Sequence, residues 1–310
     1  MSRSGSNPWT THRARHEAEG GVLNIYLDTN LWNELCDQAV DPAHLVSALR
    51  AKGSNLAIGP HSIFELAKTF AKAPARGKEL FSYISRVLAE KILYTKEITG
   101  ILESEMTSLR DGTEVEPFAS VDNYSQFRRD VEAFARGNFT EQAQAFVSQR
   151  MSLGVQSRRD AQIHFDNRPD VKARLKAINP EDLPRWLASE TRSPQGMELL
   201  VGQIMRQFTD APMHEVMSWA KPLIDSAACR LASGLVRADL YHSWRACNRG
   251  SLPKDLYHDM YHVLQAIHCD VYATKEGGQQ DYTGLLLTRN THVAIYDKLT
   301  PVDEWLKAEA

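Results

Sequence analysis

The sequence predicts an α/β fold in which a central, mostly parallel sheet is interrupted by an all-helical segment. Short apolar runs at 22–27 and 56–60 are each followed by apolar residues at helix-type spacing, as in alternating strands and helices. Residues 96–233 show helix-type spacing without a convincing strand-like run. Strand-like runs return near the end of the chain, at 270–274, 285–288 and 292–297.

The individual elements follow from apolar periodicity and from the positions of proline and glycine. VLNIYL (22–27) is the first predicted strand, and LAIGP (56–60) is the second, stopped by Gly59 and Pro60. Periodicity predicts helices at 31–38, 42–51, 61–73, 77–93, 97–109, 122–153, 157–178, 196–208, 211–233 and 255–269.

This pattern predicts four segments of chain. Residues 1–20 are polar and lack periodicity, which indicates a disordered or loosely docked tail. Residues 21–95 and 234–310 form the two halves of the sheet-containing domain. Residues 96–233 form a helical insertion between those halves.

Composition limits the class of protein. The 310 residues include 36 basic and 39 acidic ones, and a net charge of −3 argues against a protein that coats nucleic acid by charge alone. No apolar run approaches the ~18 residues that span a membrane, and the N-terminus lacks the apolar core of a secretory signal. The four cysteines show no CxxC spacing. Reduced thiols and a cytoplasmic location are therefore expected.

Four acidic residues fall where predicted strands end or helices begin. Asp28 ends the first strand, and Glu65 lies in the first turns of the helix after the second strand. Asp259 lies early in the helix before DVYAT, and Glu276 follows that strand. The carboxyl ends of parallel strands meet at one edge of a sheet. Carboxylates gathered there repel one another unless a cation neutralises them, and Mg²⁺ and Mn²⁺ favour oxygen ligands. The sequence therefore predicts a Mg²⁺ or Mn²⁺ site.

Each of these residues also has a purely structural interpretation. Asp-Thr-Asn before a helix is typical of N-caps, so capping is an equal alternative for Asp28 when the stretch is taken alone. Glu65 and Asp259, taken singly, are ordinary helix-face carboxylates. Asp270 opens the DVYAT strand and is expected at the end of the sheet away from Asp28, as a turn or cap residue.

The helix before DVYAT carries several chemically interesting side chains. Asp255 and Asp259 are four residues apart and share a face, which His262 extends, with His258 beside it. Asp259 is preferred as the metal ligand, and Asp255 is expected in the preceding loop as a supporting group. His258 and His262 have the spacing of a zinc-binding pair. No glutamate lies between them and no third ligand is evident, so histidines satisfied in the core or on the surface are favoured.

The order of these motifs resembles that of the PIN-domain ribonucleases. The matching stretches are IYLDTNLW, SIFELAK and DMYHVLQAIHCDVYATKE. The resemblance covers roughly residues 22–95 and 235–300 and leaves out the helical segment. It implies a PIN-like three-layer fold, with a central mostly parallel sheet flanked by helices.

The resemblance also implies roles for the site residues. Asp28, Glu65 and Asp259 would be the acidic metal ligands. The family usually has an aspartate two residues after the threonine of the last motif, and this chain has Glu276 there, whose longer side chain would reach a metal through water. The residues implied to orient or support these ligands are Thr29, Asn30 and Thr274.

The activity implied is that of a Mg²⁺- or Mn²⁺-dependent endoribonuclease. Its substrate would be single-stranded or looped RNA, because A-form duplexes hide their base edges. Small PIN proteins are often toxins held inactive by a protein partner, and many PIN-like domains form homodimers, so both kinds of partner are candidates. The helical segment would cap the site, choose the RNA or bind a partner. Its basic pairs at 128–129 and 158–159 would contact phosphates or form ion pairs on helix surfaces.

Two rival functions remain at this stage. One is a PIN-like module that binds RNA or protein without catalysing a reaction. The presence of Glu276 in place of aspartate favours this function, and the presence of Asp28, Glu65 and Asp259 argues against it. The other is a phosphatase of the haloacid dehalogenase type, which also ends its first strand on aspartate. That chemistry usually needs a second acid two residues later, where this chain has Asn30.

Overall fold

A computed structural model describes residues 21–205, 212–248, 256–276, 280–287 and 291–310. Within these residues lies a five-stranded sheet with the order β3-β2-β1-β4-β5, in which every neighbouring pair of strands is parallel. The strands are β1 (Leu23–Leu27), β2 (Ser54–Ile58), β3 (Leu93–Tyr94), β4 (Val271–Thr274) and β5 (His292–Ile295). The prediction of an α/β fold with a parallel central sheet is confirmed.

The helices form three groups along the chain. The first group is α1 (Thr29–Asp37), α2 (Pro42–Ala51), α3 (Pro60–Lys72) and α4 (Pro74–Ala89). The second is α5 (Ile98–Asp111), α6 (Val121–Ala135), α7 (Glu141–Asp166), α8 (Pro169–Lys176), α9 (Leu183–Glu190), α10 (Pro194–Leu199) with a π-turn at Leu200–Ile204, α11 (Met213–Asp225) and α12 (Arg230–Asn248). The third is α13 (Leu256–Gln265), α14 (Gln280–Leu286) and α15 (Val302–Glu309).

The two faces of the sheet bury two separate apolar clusters. Ile25 and Leu27 of β1 face a cluster with α1 to α4 and α15, whereas Tyr26 faces a cluster with α5, α9 and α11 to α13. Side chains alternate between the faces of a strand, and a parallel sheet is normally covered on both. Helices of the 96–233 segment contribute to both clusters, for example through Phe127 to the first and Leu187 to the second. This segment therefore packs onto the sheet.

The order of the strands places a crevice at the middle of the sheet. From β1 the chain proceeds outward through β2 and β3 on one side, and from β4 it proceeds to β5 on the other. The carboxyl ends of β1 and β4 are neighbours, and the N–H of Asp28 donates to the carbonyl of Ala273 at 2.9 Å. Ligands of open parallel sheets bind at such a reversal of strand order.

Several predicted elements differ from the observed ones. LLLT (285–288) was predicted as a strand, but Leu285 and Leu286 end α14 and the neighbour of β4 is β5. A short apolar run fits a buried strand and a buried helix equally, and here Leu286 packs in the cluster beneath α12. The helix predicted at 77–93 ends earlier than expected, and residue 93 joins residue 94 in β3, which pairs with β2.

Long predicted helices are divided at specific residues. The helix predicted at 122–153 is broken between α6 and α7, where Gly137 adopts a φ of +89°. The helix predicted at 211–233 is broken before Arg230, which begins α12. Part of the helix predicted at 196–208 lies outside the described residues. None of the described helices is both long enough and apolar enough to cross a membrane.

Candidate active site at the carboxyl edge of the sheet

Asp28 lies at the centre of the crevice between β1 and β4. Its side chain is buried, and its Oδ2 accepts hydrogen bonds from Thr274 Oγ1 at 2.9 Å and from Asn30 Nδ2 at 3.5 Å. Although Asp28 occupies the N-cap position of α1, its side chain makes no capping hydrogen bond to the helix backbone. Its backbone carbonyl accepts from the N–H of Leu31 instead. The carboxylate is therefore not used as a helix cap.

Glu65 reaches the same crevice from α3. Its Oε2 lies 3.0 Å from His262 Nε2, and its Oε1 lies 3.9 Å from Lys68 Nζ. His262 Nε2 also lies 3.7 Å from Asp28 Oδ1. The imidazole of His262 thus stands between two of the predicted acidic residues.

Asp259 and Glu276 complete an acidic cluster, which we define as Asp28, Glu65, Asp259 and Glu276. Burial, followed by the negative charges of Glu276, Asp28 and Glu65, raises the pKa of Asp259 to about 7. Glu276 is exposed, and its Oε1 accepts from Asn30 Nδ2 at 2.6 Å. Its N–H donates to Thr274 Oγ1 at 3.2 Å. The fold therefore brings the four predicted acids into mutual electrostatic contact.

The pKa values of Asp28 and Glu65, the two most buried acids of the cluster, move in opposite directions. Burial raises the pKa of Asp28 above its ordinary value, and the charge of Glu65 adds to this, against the lowering effects of His262 and Thr274. Burial also raises the pKa of Glu65, but its hydrogen bond to His262 and the charge of His262 outweigh burial and hold that pKa well below the usual range. Burial and neighbouring acids thus disfavour the charged forms of Asp28 and Asp259, and a bound cation would relieve this cost.

Two histidines belong to this site that the sequence did not predict as site residues. The rings of His61 and His262 have centroids 4.7 Å apart and are almost perpendicular, and both side chains are buried. Burial lowers the pKa of His262, but its hydrogen bond to Glu65 and the charges of Glu65 and Asp28 outweigh this and raise it. Burial and the charge of His262 lower the pKa of His61 well below its ordinary value.

The sequence does contain a signal for these histidines, which is their spacing from the predicted acids along each helix. His61 lies four residues before Glu65 on α3, and His262 lies three residues after Asp259 on α13, so each shares a helix face with a predicted acid. The pair considered from the sequence, His258 with His262, is not the one that the fold assembles. His258 instead stacks on His61, with ring centroids 5.3 Å apart.

The remaining predicted supporting residues divide between two tasks. Asn30 and Thr274 donate to Asp28, and Asn30 also links Asp28 to Glu276. Thr29 does not hold Asp28, because its Oγ1 lies 3.1 Å from His262 Nε2. Asp255 lies outside the described residues.

Asp270 lies at the opposite edge of the sheet, where its Oδ2 accepts from the N–H of Asn24 at 2.8 Å. This is the structural role expected for it.

Basic residues of the helical segment differ in what they contact. Arg128 pairs with Glu132 on α6, and Lys172 pairs with Asp166. Arg150 on α7 contacts residues of other elements. Its Nη2 is 3.1 Å from both carboxylate oxygens of Glu97, and its guanidinium carbon is 6.0 Å from the ring centroid of Phe64, which contacts His61.

The arrangement has the residue types of a divalent-cation site. Crowded carboxylates supply the oxygen ligands, and Thr274 and Asn30 fix the orientation of Asp28.

Comparison with known proteins adds no identification, since the chain matches no protein-family model, no curated protein and no solved structure.

Proposed function

We propose that this protein is a metal-dependent endoribonuclease with a PIN-like fold, which hydrolyses phosphodiester bonds at the acidic cluster. The observation that carries the proposal is the position of the cluster. Four carboxylates meet at the reversal of strand order between β1 and β4, where the pKa values of Asp28 and Asp259 are raised by burial and by their acidic neighbours. RNA is chosen over DNA because the motifs resemble those of PIN-domain ribonucleases.

Asp28, Glu65 and Asp259 would hold the metal, with Glu276 at the exposed rim. Mg²⁺ or Mn²⁺ bound there would supply positive charge to a phosphate and a water molecule of lowered pKa as the nucleophile. Thr274 donates to Asp28 Oδ2 and so keeps that carboxylate turned in one direction. The expected products carry 5′-phosphate and 3′-hydroxyl ends.

The helical segment would contribute positive charge to the substrate path. Arg150 lies near Phe64, which contacts His61, and its guanidinium donates to Glu97. A guanidinium there can contact a phosphate next to the one cleaved. Single-stranded RNA fits this arrangement because its backbone can bend to bring one phosphate to the acidic cluster and the next to Arg150.

The test is cleavage of a mixed single-stranded RNA pool by the full chain, with Mn²⁺, with Mg²⁺ and with EDTA. Wild type is compared with Asp28→Asn and with the control Asp122→Asn, whose carboxylate is exposed on α6. We expect metal-dependent cleavage by wild type and by the control, and a loss of at least ~10²-fold in Asp28→Asn. Cleavage that survives EDTA, or that Asp28→Asn retains, would contradict the proposal.

The second candidate is a PIN-like module that binds RNA or protein without cleaving it. The observation that favours it is the position of Glu276, which is exposed and hydrogen-bonded to Asn30. A folded wild-type protein that binds the RNA pool but cleaves it with neither metal would support this candidate.

A further inference from the structure

The acidic cluster borders a second group of potential ligands that contains nitrogen. His61, Glu65 and His262 each offer one ligand atom, and these three atoms lie within 4.8 Å of one another. His61 and Glu65 are four residues apart on α3, so one helix face presents both. His262 comes from α13, which packs against α3. The group therefore depends on the packing of two helices that are distant in sequence.

His61 has an unusual environment for a buried histidine. Its side chain is 1% exposed, and neither of its ring nitrogens has a hydrogen-bond partner. Buried polar groups are nearly always hydrogen-bonded, so a histidine without partners requires an explanation. A metal ion between His61 and Glu65 would give one of these nitrogens a partner.

His262 is held in the way that metal-binding histidines usually are. Its Nδ1 lies 3.2 Å from the hydroxyl oxygen of Tyr26, whose hydrogen is donated to Gln265 Oε1 at 3.1 Å. This contact fixes the ring and leaves Nε2 directed at Glu65. A hydrogen bond to the second ring nitrogen is the common device that orients a histidine ligand and sets its tautomer.

We propose that His61, Glu65 and His262 form a binding site for a first-row divalent transition ion, joined to the acidic cluster through Glu65. Two imidazoles and one carboxylate suit zinc, iron, cobalt or manganese, whereas Mg²⁺ prefers an all-oxygen set. The role of this ion in hydrolysis rests on the proposed function, since Glu65 is shared. The binding of the ion can be measured without RNA.

The competing explanation is that His61 only fills space in an aromatic cluster. Its ring lies 5.3 Å from those of Phe64 and His258 and 5.4 Å from that of Tyr261. In that case His61 packs but binds nothing, and removing its nitrogens would leave metal binding unchanged.

The experiment titrates the EDTA-stripped full chain with Co²⁺ and follows visible d–d absorption, which responds to nitrogen ligands. Wild type is compared with His61→Phe, which keeps a planar ring without nitrogen, with His61→Gln, and with the control His44→Ala on the exposed face of α2. Circular dichroism establishes that each variant is folded. Two His61 variants are used because either one could fail to fold.

We expect wild type and His44→Ala to bind Co²⁺ with the same spectrum and to retain it in a large excess of Mg²⁺. Folded His61 variants should bind Co²⁺ at least ~10-fold more weakly with an altered spectrum. An identical affinity and spectrum in a folded His61 variant would overturn the proposal, as would wild-type binding that Mg²⁺ displaces.

The outcomes also separate this inference from the proposed function. His61-dependent Co²⁺ binding without RNA cleavage would retain the ion site and reject the nuclease. RNA cleavage that depends on Asp28, with Co²⁺ binding unaffected by His61, would retain the nuclease and reject the ion site.

Discussion

Two buried acidic regions of this protein differ in how their charge is compensated. Glu105 on α5 is fully buried, and its two oxygens accept from the N–H groups of Leu231 and Ala232 at 2.6 and 2.9 Å, with His268 Nε2 2.7 Å from Oε1. These N–H groups belong to the first turn of α12, where a carboxylate is favoured. In the acidic cluster, by contrast, the negative charges of Glu276, Asp28 and Glu65 act on Asp259 and raise its pKa.

This difference in charge compensation distinguishes a carboxylate that stabilises the fold from one that is suited to bind a cation. Every oxygen of Glu105 has partners supplied by the fold, so the group stabilises the protein as it stands. Asp28 and Asp259 have pKa values raised by burial and neighbouring acids, so the fold holds them at a cost. Such a cost is typical of functional sites. The predictions below test this contrast, beginning with the largest effect.

Removing Glu105 should cause the largest loss of stability. Glu105→Ala leaves two buried N–H groups and His268 without their acceptor, so we expect the free energy of unfolding to fall by about 3 kcal/mol or more. Urea unfolding measures this. Glu103→Ala, at an exposed position of the same helix, is the control and should stay within about 0.5 kcal/mol of wild type. Equal stability of Glu105→Ala and Glu103→Ala would contradict the structural role assigned to Glu105.

Thr274 should matter for metal affinity more than for folding. Thr274→Val keeps the shape but removes the hydroxyl that donates to Asp28, so we expect Mn²⁺ affinity to fall about 10-fold or more. Thr274→Ser keeps the donor and should bind nearly as tightly as wild type. Calorimetric titration with Mn²⁺ compares wild type, Thr274→Val and Thr274→Ser. Equal Mn²⁺ affinities of the two variants would contradict the role of the Thr274 hydroxyl in orienting Asp28.

Asp259 should show a trade-off between stability and function. Its folded pKa of about 7 lies above the ordinary value of 3.8, so its contribution is favourable below pH 4 and is lost as the pH rises through 7. Without metal, Asp259→Asn should therefore match wild type near pH 4 and exceed it by about 1–2 kcal/mol at pH 8, allowing for solvent screening. Thermal unfolding across this pH range measures the difference.

Saturating Mn²⁺ provides the check on that prediction. Wild type should gain stability from the ion by mass action, and Asp259→Asn should gain less, because it lacks one of the proposed ligands. The exposed control Asp122→Asn should show neither effect. A variant no more stable than wild type at pH 8 without metal would show that the cluster is not under electrostatic strain.

Local sequence was sufficient to place most of the fold and the acids. The strands VLNIYL and DVYAT, and the positions of Asp28 and Glu276 after them, follow from apolar runs and their ends. The parallel sheet follows from the alternation of strands with helices, which forces crossovers. The sequence did not predict the two-residue β3 or the helix at 280–286, because apolar runs this short show no periodicity that separates a strand from a helix.

What the sequence by itself determined is therefore the α/β class and the identity of the acidic residues at the strand ends. Only the tertiary structure decided which other side chains join them. His262 and Glu65 are 197 positions apart, and their contact arises because α3 and α13 pack side by side at the β1–β4 crevice. The unpartnered state of His61 is also set by that packing. Periodicity records which face of a helix is buried, but burial alone does not specify what a buried histidine meets.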